Sequence, residues 1–138
     1  MNKSQKYFDK LRSSGLRPTK QRIKICEILF GSSQTFHFTI RELSKMIENQ
    51  ANIKVSLATV YNTIHAFKNK GYLKEISINS SHSYFDTNTS HHHHFYDLSE
   101  KKLIDLEDND VKPIEIKKTI AGKKIKSVEV LVKIDNNN

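Results

Sequence analysis

The sequence predicts an α+β fold, with an N-terminal winged-helix DNA-binding domain over residues 1–86 and a small second domain over 87–138. Three observations predict it. Helical segments with apolar residues at three- and four-residue steps fill the first half, and a hairpin with a polar tip follows them. The charge is lopsided: Met1 to Glu75 carries 14 Lys and Arg against 5 Asp and Glu, a net of +9, while Ile76 to Asn138 carries 9 against 10. Finally, His91, His92, His93 and His94 stand side by side in the second half and hold four of the seven histidines.

The elements follow in order. A first helix is expected from Ser4 to about Ser13, with Tyr7, Phe8 and Leu11 at helical spacing and Gly15 as its stop. Arg17-Pro18 forces an extended step, and Thr19 can cap a second helix through Phe30 that carries Ile23, Ile25, Ile28 and Leu29. Thr39 and Glu42 have capping-box spacing and open a third helix, with Leu43, Met46 and Ile47 on one stripe. Ser56 can cap a fourth, in which Leu57, Val60, Ile64 and Phe67 face the core and Gly71 ends the run. The hairpin pairs Tyr72 to Ile78 with His82 to Asp86 across an Asn79-Ser80-Ser81 tip.

A second unit begins near Thr87. A strand is expected from His91 to Asp97, a turn at Ser99-Glu100-Lys101, a strand from Lys102 to Leu106, and a last strand from Lys126 to Ile134. Pro113 and the alternation of Ile114 with Ile116 favour extended chain over residues 111–125, against a short helix from Lys117 to Lys124. The tail from Asp135 to Asn138 is expected to fray.

Composition narrows the class. The 138 residues carry a net charge of +8 and are 36% hydrophobic, with no apolar stretch near the ~20 residues of a membrane span. The basic start, Met1 to Lys6, has no apolar run behind it, so a secretory signal is not expected and a cytoplasmic location is. Cys26 is the only cysteine, which excludes an internal disulfide and a thiolate zinc knuckle and leaves an inert core thiol. The positive first half reads as a nucleic-acid footprint, with a lysine-rich solvated surface as the plain alternative.

In a helix-turn-helix the second helix enters the major groove. With the apolar stripe inward, Ser56, Thr59, Asn62 and Thr63 point outward and Tyr61 lies at the margin. Asn can bond an adenine edge, and an aromatic ring can pack on the thymine methyl. Lys20, Arg22, Lys68 and Lys74 offer phosphate contacts, and Arg17 sits on a short arm able to reach a minor groove. In the histidine strand, His92 and His94 share one face and His91 and His93 the other. Two same-face imidazoles can share a metal ion but cannot complete its coordination.

Gly15-Leu16-Arg17-Pro18-Thr19-Lys20-Gln21-Arg22, the string Ser56 to Thr63 and the histidine run together resemble the ferric uptake regulator (Fur) family over nearly the whole chain. The run followed by Phe95-Tyr96-Asp97 looks most like its iron response regulator (Irr) branch. The resemblance implies a winged helix joined to an α/β dimerisation domain, and a homodimer on palindromic double-stranded DNA operators, with no membrane partner. It matches Tyr61 to a thymine contact and Arg17 to a minor-groove contact. It also implies a divalent transition metal (Fe, Mn or Zn) on His37, Asp86, His92 and His94, with Asp105 as an occasional extra ligand. The branch adds haem or a second metal at His91 and His93, although Cys26 is followed by Glu27 and not by the Pro of a Cys-Pro haem motif. The family's first Cys-x-x-Cys pair falls at Asp97 and Glu100, so no structural four-cysteine zinc is expected. A further family site needs a carboxylate near Lys112 and a histidine in the last strand, and neither is present.

Four functions compete on these residues. They are an iron- or haem-responsive regulator, a conventional metal-corepressed Fur-type repressor, a small metalloenzyme using the histidine cluster, and a metal buffer. No recognisable general base flanks the histidines, which counts against an enzyme, and a buffer leaves the +9 first half without a task.

Overall fold

The computed structural model describes residues 3–137. The first two residues of the basic start and the last residue of the tail lie outside that range. Contacts divide the chain into two compact units, Met1–Thr89 and Ser90–Asn138.

The first unit holds α1 (Lys3–Ser13), α2 (Lys20–Phe30), β1 (His37–Phe38), α3 (Ile40–Ala51), α4 (Leu57–Lys70), β2 (Lys74–Asn79) and β3 (His82–Asp86). Local chemistry sets the helix ends. Thr19 accepts from the Arg22 amide, Ser56 accepts from the Thr59 amide, and Gly71 closes α4 with a left-handed φ of 91°. At α3 the capping box forms both ways: Thr39 Oγ1 accepts from the Glu42 amide at 3.1 Å, and Glu42 Oε1 accepts from the Thr39 amide at 2.9 Å. Thr39→Ala is therefore expected to cost about 1 kcal/mol, read as a lowered midpoint in urea unfolding of the metal-free chain.

Inward faces of the four helices meet in one core that includes Leu11, Ile25, Leu29, Leu43, Ile47, Val60, Ile64 and Phe67. Cys26 lies in it, and burial pushes its thiol up to about 12, so it stays a neutral apolar filler. Phe38 and Phe85 close the core from the sheet, whose strand order is β1-β3-β2. Strand β1 was not expected. Two residues are too short to show a period of two, and their pairing is set by β3, through His37 opposite Asp86 and Phe38 opposite Phe85.

The second unit holds β4 (His93–Asp97), β5 (Lys102–Leu106), a 3₁₀ turn at Asp108–Asp110 and β6 (Leu131–Ile134), in the order β5-β4-β6. Strands β4 and β5 are antiparallel, while β4 and β6 run parallel. A parallel neighbour needs a long crossover, and residues 111–130 supply it with no helix or strand of their own.

Two strands are shorter than expected. The histidine strand begins at His93, not His91, and the last begins at Leu131, not Lys126. The cause is that side chains take the backbone groups a longer ladder would use. His91 Nε2 lies 3.0 Å from the Val128 carbonyl, and the Val130 amide donates to His93 Nδ1 at 3.0 Å. No helix among the described residues is long and apolar enough to cross a membrane.

Candidate nucleic-acid interface and metal-ligating strand

On α4, Ser56 and Asn62 are exposed, as their spacing predicts, while Thr59, expected outward, is half-buried. Tyr61 stands further out than the margin, at 52% exposure. Two positions trade places. Leu57, expected in the core, is 44% exposed, and Thr63, expected outward, is fully buried. Leu57 is the first residue of α4 and lines an open recess with Arg41, Lys45 and Lys54. Thr63 turns its hydroxyl back to the Thr59 carbonyl at 2.7 Å, which satisfies its one polar group and lets its methyl pack.

The basic residues divide in the same way. Arg17 and Lys20 are exposed. Arg22 instead reaches back to donate to the Arg17 carbonyl at 2.9 Å, and so braces the arm that carries Arg17. Lys68 is paired with Glu75 at 3.3 Å. Burial pushes the Glu75 carboxyl up, but hydrogen bonds from Ser83 and Lys68 outweigh it and leave Glu75 below its ordinary value. Lys68 therefore serves the wing more than a phosphate. Sequence reasoning missed Arg41, Lys45 and Lys54, which line a recess with Ser56 and Leu57 at the start of α4. Basic residues flanking a capped helix start were the signal available for them.

Also in the first unit, Asp86 ends β3, buried, with His37 as its register partner on β1. Its Oδ1 accepts from the Asn88 amide at 2.8 Å.

In the second unit the histidine run splits by face. The rings of His92 and His94 lie 4.5 Å apart, and their Nε2 atoms sit 3.6 and 3.5 Å from Asp105 Oδ1. Asp105 is the register partner of His94. His92 Nδ1 lies 2.8 Å from the Ser90 carbonyl. A carbonyl only accepts, so Nδ1 carries the hydrogen and the Nε2 lone pair faces Asp105, the tautomer a metal ligand needs.

On the other face, His91 and His93 rings lie 5.0 Å apart, with Asp108 Oδ1 3.3 Å from His91 Nδ1 and from His93 Nε2. These three also form a group able to hold a cation. The tautomer of His93 is the reverse of His92. Its Nδ1 is filled by the Val130 amide, so in the neutral ring Nε2 carries the hydrogen and donates toward Asp108.

Asp97, at one of the two places the resemblance compares with a cysteine pair, closes the β4–β5 turn by itself. Its Oδ1 accepts from the Ser99 hydroxyl at 2.7 Å, the Ser99 amide at 3.0 Å and the Glu100 amide at 3.1 Å. The Ser99 hydroxyl, then the Glu100 amide, hold its carboxyl below the usual range.

A four-helix unit with a small sheet, a capped helix presenting an exposed face, and a second unit bearing imidazoles and carboxylates define a winged-helix regulator with metal-binding potential. A model of the ferric uptake regulator family matches residues 13–134. The peroxide-responsive repressor PerR of Staphylococcus aureus (strain Mu50) is 35% identical over 105 residues, which cover 76% of this chain and 69% of that protein. The ferric uptake regulator of Pseudomonas aeruginosa, solved with manganese, superposes with a TM-score of 0.67 at 19% identity, over 96% of this chain and 98% of that one. That of Vibrio cholerae gives 0.69 at 21% identity, over 94% and 98%. The chain belongs to the ferric uptake regulator family, and it is a DNA-binding transcription factor, not an enzyme.

The finer placement in the iron response regulator branch does not hold. The comparisons support the family at large, with peroxide-responsive repressors among the relatives at 35% identity. Four adjacent histidines look like one motif in the sequence, but the structure separates them into two pairs, each beside its own carboxylate, Asp105 or Asp108, so they do not act as one site.

Proposed function

We propose that the chain is a conventional metal-corepressed transcriptional repressor that binds palindromic operator DNA as a cytoplasmic homodimer. The observation that carries the reading is His92, whose Nδ1–H is anchored on the Ser90 carbonyl so that Nε2 is offered beside His94 and Asp105. Imidazoles with carboxylates suit Fe(II), Mn(II) or Zn(II), and availability decides among them. His37 and Asp86, paired in register on the first unit, complete the proposed ligand set. A bound divalent ion would supply positive charge to these imidazoles and carboxylates. Operator binding then depends on metal through the state that the bound ion favours, the linkage a corepressor requires.

On the DNA side, Tyr61 and Asn62 read base edges, Ser56, Thr59 and Lys20 hold phosphate, and Arg17 enters a minor groove, with Arg22 bracing its arm. Metal is favoured over haem as the signal, because each imidazole pair stands beside a carboxylate, a donor set suited to a divalent ion, and His93 Nδ1 is taken by the Val130 amide.

The test is a binding titration on an operator selected from a random palindromic duplex library, with Fe(II), Mn(II), Zn(II), haem and peroxide in separate arms. The peroxide arm belongs there because the S. aureus relatives are peroxide-responsive. At least one divalent metal is expected to tighten binding by about 5- to 150-fold, the usual span of allosteric coupling, with haem inert. A response to haem and to no metal would overturn the reading.

A further inference from the structure

Tyr61 presents a practical difficulty for any role in reading bases. It is a large side chain, 52% exposed on the outer face of a helix. Such a ring samples several rotamers in water, and each one lost on binding weakens the complex. The structure provides a support for it. One turn along α4, the His65 ring lies under the Tyr61 ring with centroids 4.0 Å apart and planes tilted by 35°. His65 in turn meets Phe85 of β3 edge-on, at 5.4 Å and 78°. Phe85 is buried and packs on Phe38 of β1 at 6.2 Å.

The exposed ring thus stands at the end of a stack whose foot is in the core. The stack also joins the reading helix to the wing. A groove of about 360 Å³ beside it is walled by Arg41 from α3, Tyr61 and His65 from α4, and His82 and Phe85 from the wing. Tyr61 on the reading helix and Phe85 on the wing are therefore linked by one connected set of rings.

We propose that His65 is a positioning residue for base readout. It holds Tyr61 in one orientation relative to the wing by stacking, without itself contacting DNA. This rests on the reading of Tyr61 as a base-contacting residue. Stacking needs a flat ring at position 65 and does not need the imidazole nitrogens, so an aromatic replacement should serve and a small one should not.

The experiment compares the wild-type chain with Tyr61→Ala, His65→Ala, His65→Phe and the Tyr61→Ala/His65→Ala double variant, all loaded with Mn(II). Each is titrated against the selected operator and a scrambled duplex of equal length. His65→Ala is expected to lower the specific-to-scrambled ratio about three- to ten-fold, the range of a lost aromatic pair, with scrambled binding unchanged. His65→Phe should restore the ratio to within two-fold of wild type, and His65→Ala should add almost nothing once Tyr61 is gone, roughly less than two-fold.

A second readout separates the two ideas. In the free protein, the Tyr61 ring proton shifts should move in His65→Ala as the neighbouring ring current is lost. Unchanged shifts, a ratio unchanged in His65→Ala, or no rescue by His65→Phe each overturn the positioning role. Equal loss on both duplexes in Tyr61→Ala, with the ring shifts still dependent on His65, overturns base readout by Tyr61 and leaves the stack as a fold feature only.

Discussion

Replacing His92 and His94 together with Ala is expected to abolish the metal-dependent change in operator binding and to leave the metal-free fold intact. The two imidazoles face one carboxylate at 3.5–3.6 Å, and His92 is held in the ligating tautomer by the Ser90 carbonyl. Losing both nitrogens removes two of the three imidazoles of the proposed set and leaves His37 with carboxylates, a poorer site for a transition metal. Metal affinity should fall by more than about 100-fold, since changes even to outer partners of such ligands cost 10- to 100-fold. Residual binding to the operator should equal that of the wild-type chain without metal.

The fold should survive, at some cost in stability for two buried rings, because strand pairing of β4 runs through its main chain. His92 Nδ1 is anchored on the Ser90 carbonyl, two residues away, and the ladder of His94 uses its main chain. Isothermal titration with Mn(II) and thermal unfolding of the metal-free variant check the two halves of the expectation. An unchanged metal response in the double variant would remove these residues from the site.

Much of the first unit was legible because its signals are local. The side chains of Thr19, Thr39 and Ser56 and the left-handed backbone of Gly71 do at the helix ends what they do in any helix, and three- and four-residue spacing marks the inward faces. The errors came where a neighbour decided the outcome. Leu57 has the right spacing for the core but stands exposed at the start of α4, and Thr63 has a polar atom that the helix itself can satisfy. Lys68 looked like a free cation until the wing placed Glu75 beside it.

The same limit applies to the second unit. Sequence alone showed that His92 and His94 share a face. It could not show that the crossover returns Val128 and Val130 against the opposite face, and so could not assign tautomers. Those depend on partners 37 residues away. The pairing of His37 with Asp86 was hidden too, because β1 is two residues long.

That difference between faces yields an expected contrast between adjacent residues. His93→Ala should damage the fold of the second unit, where His92→Ala damages metal binding. His93 is 2% exposed, accepts from the Val130 amide at 3.0 Å and faces Asp108 at 3.3 Å. Removing the ring leaves the Val130 amide without its acceptor, at about 1–3 kcal/mol, and adds a cavity where the imidazole packed. The combined loss should be roughly 2–4 kcal/mol. It should fall on the pairing of β4 with β6, which starts one residue beyond that amide. Asp108→Asn is expected to cost less than about 1 kcal/mol, because the carboxylate is largely exposed and an exposed ion pair contributes little. Hydrogen exchange on the metal-free protein reads the difference: in His93→Ala the amides from Val130 to Ile134 should exchange at least about ten-fold faster, and in Asp108→Asn much less so. Wild-type protection in His93→Ala together with lost metal binding would make His93 a ligand and not a clasp. The two faces of the histidine strand would then have to be assigned the other way round.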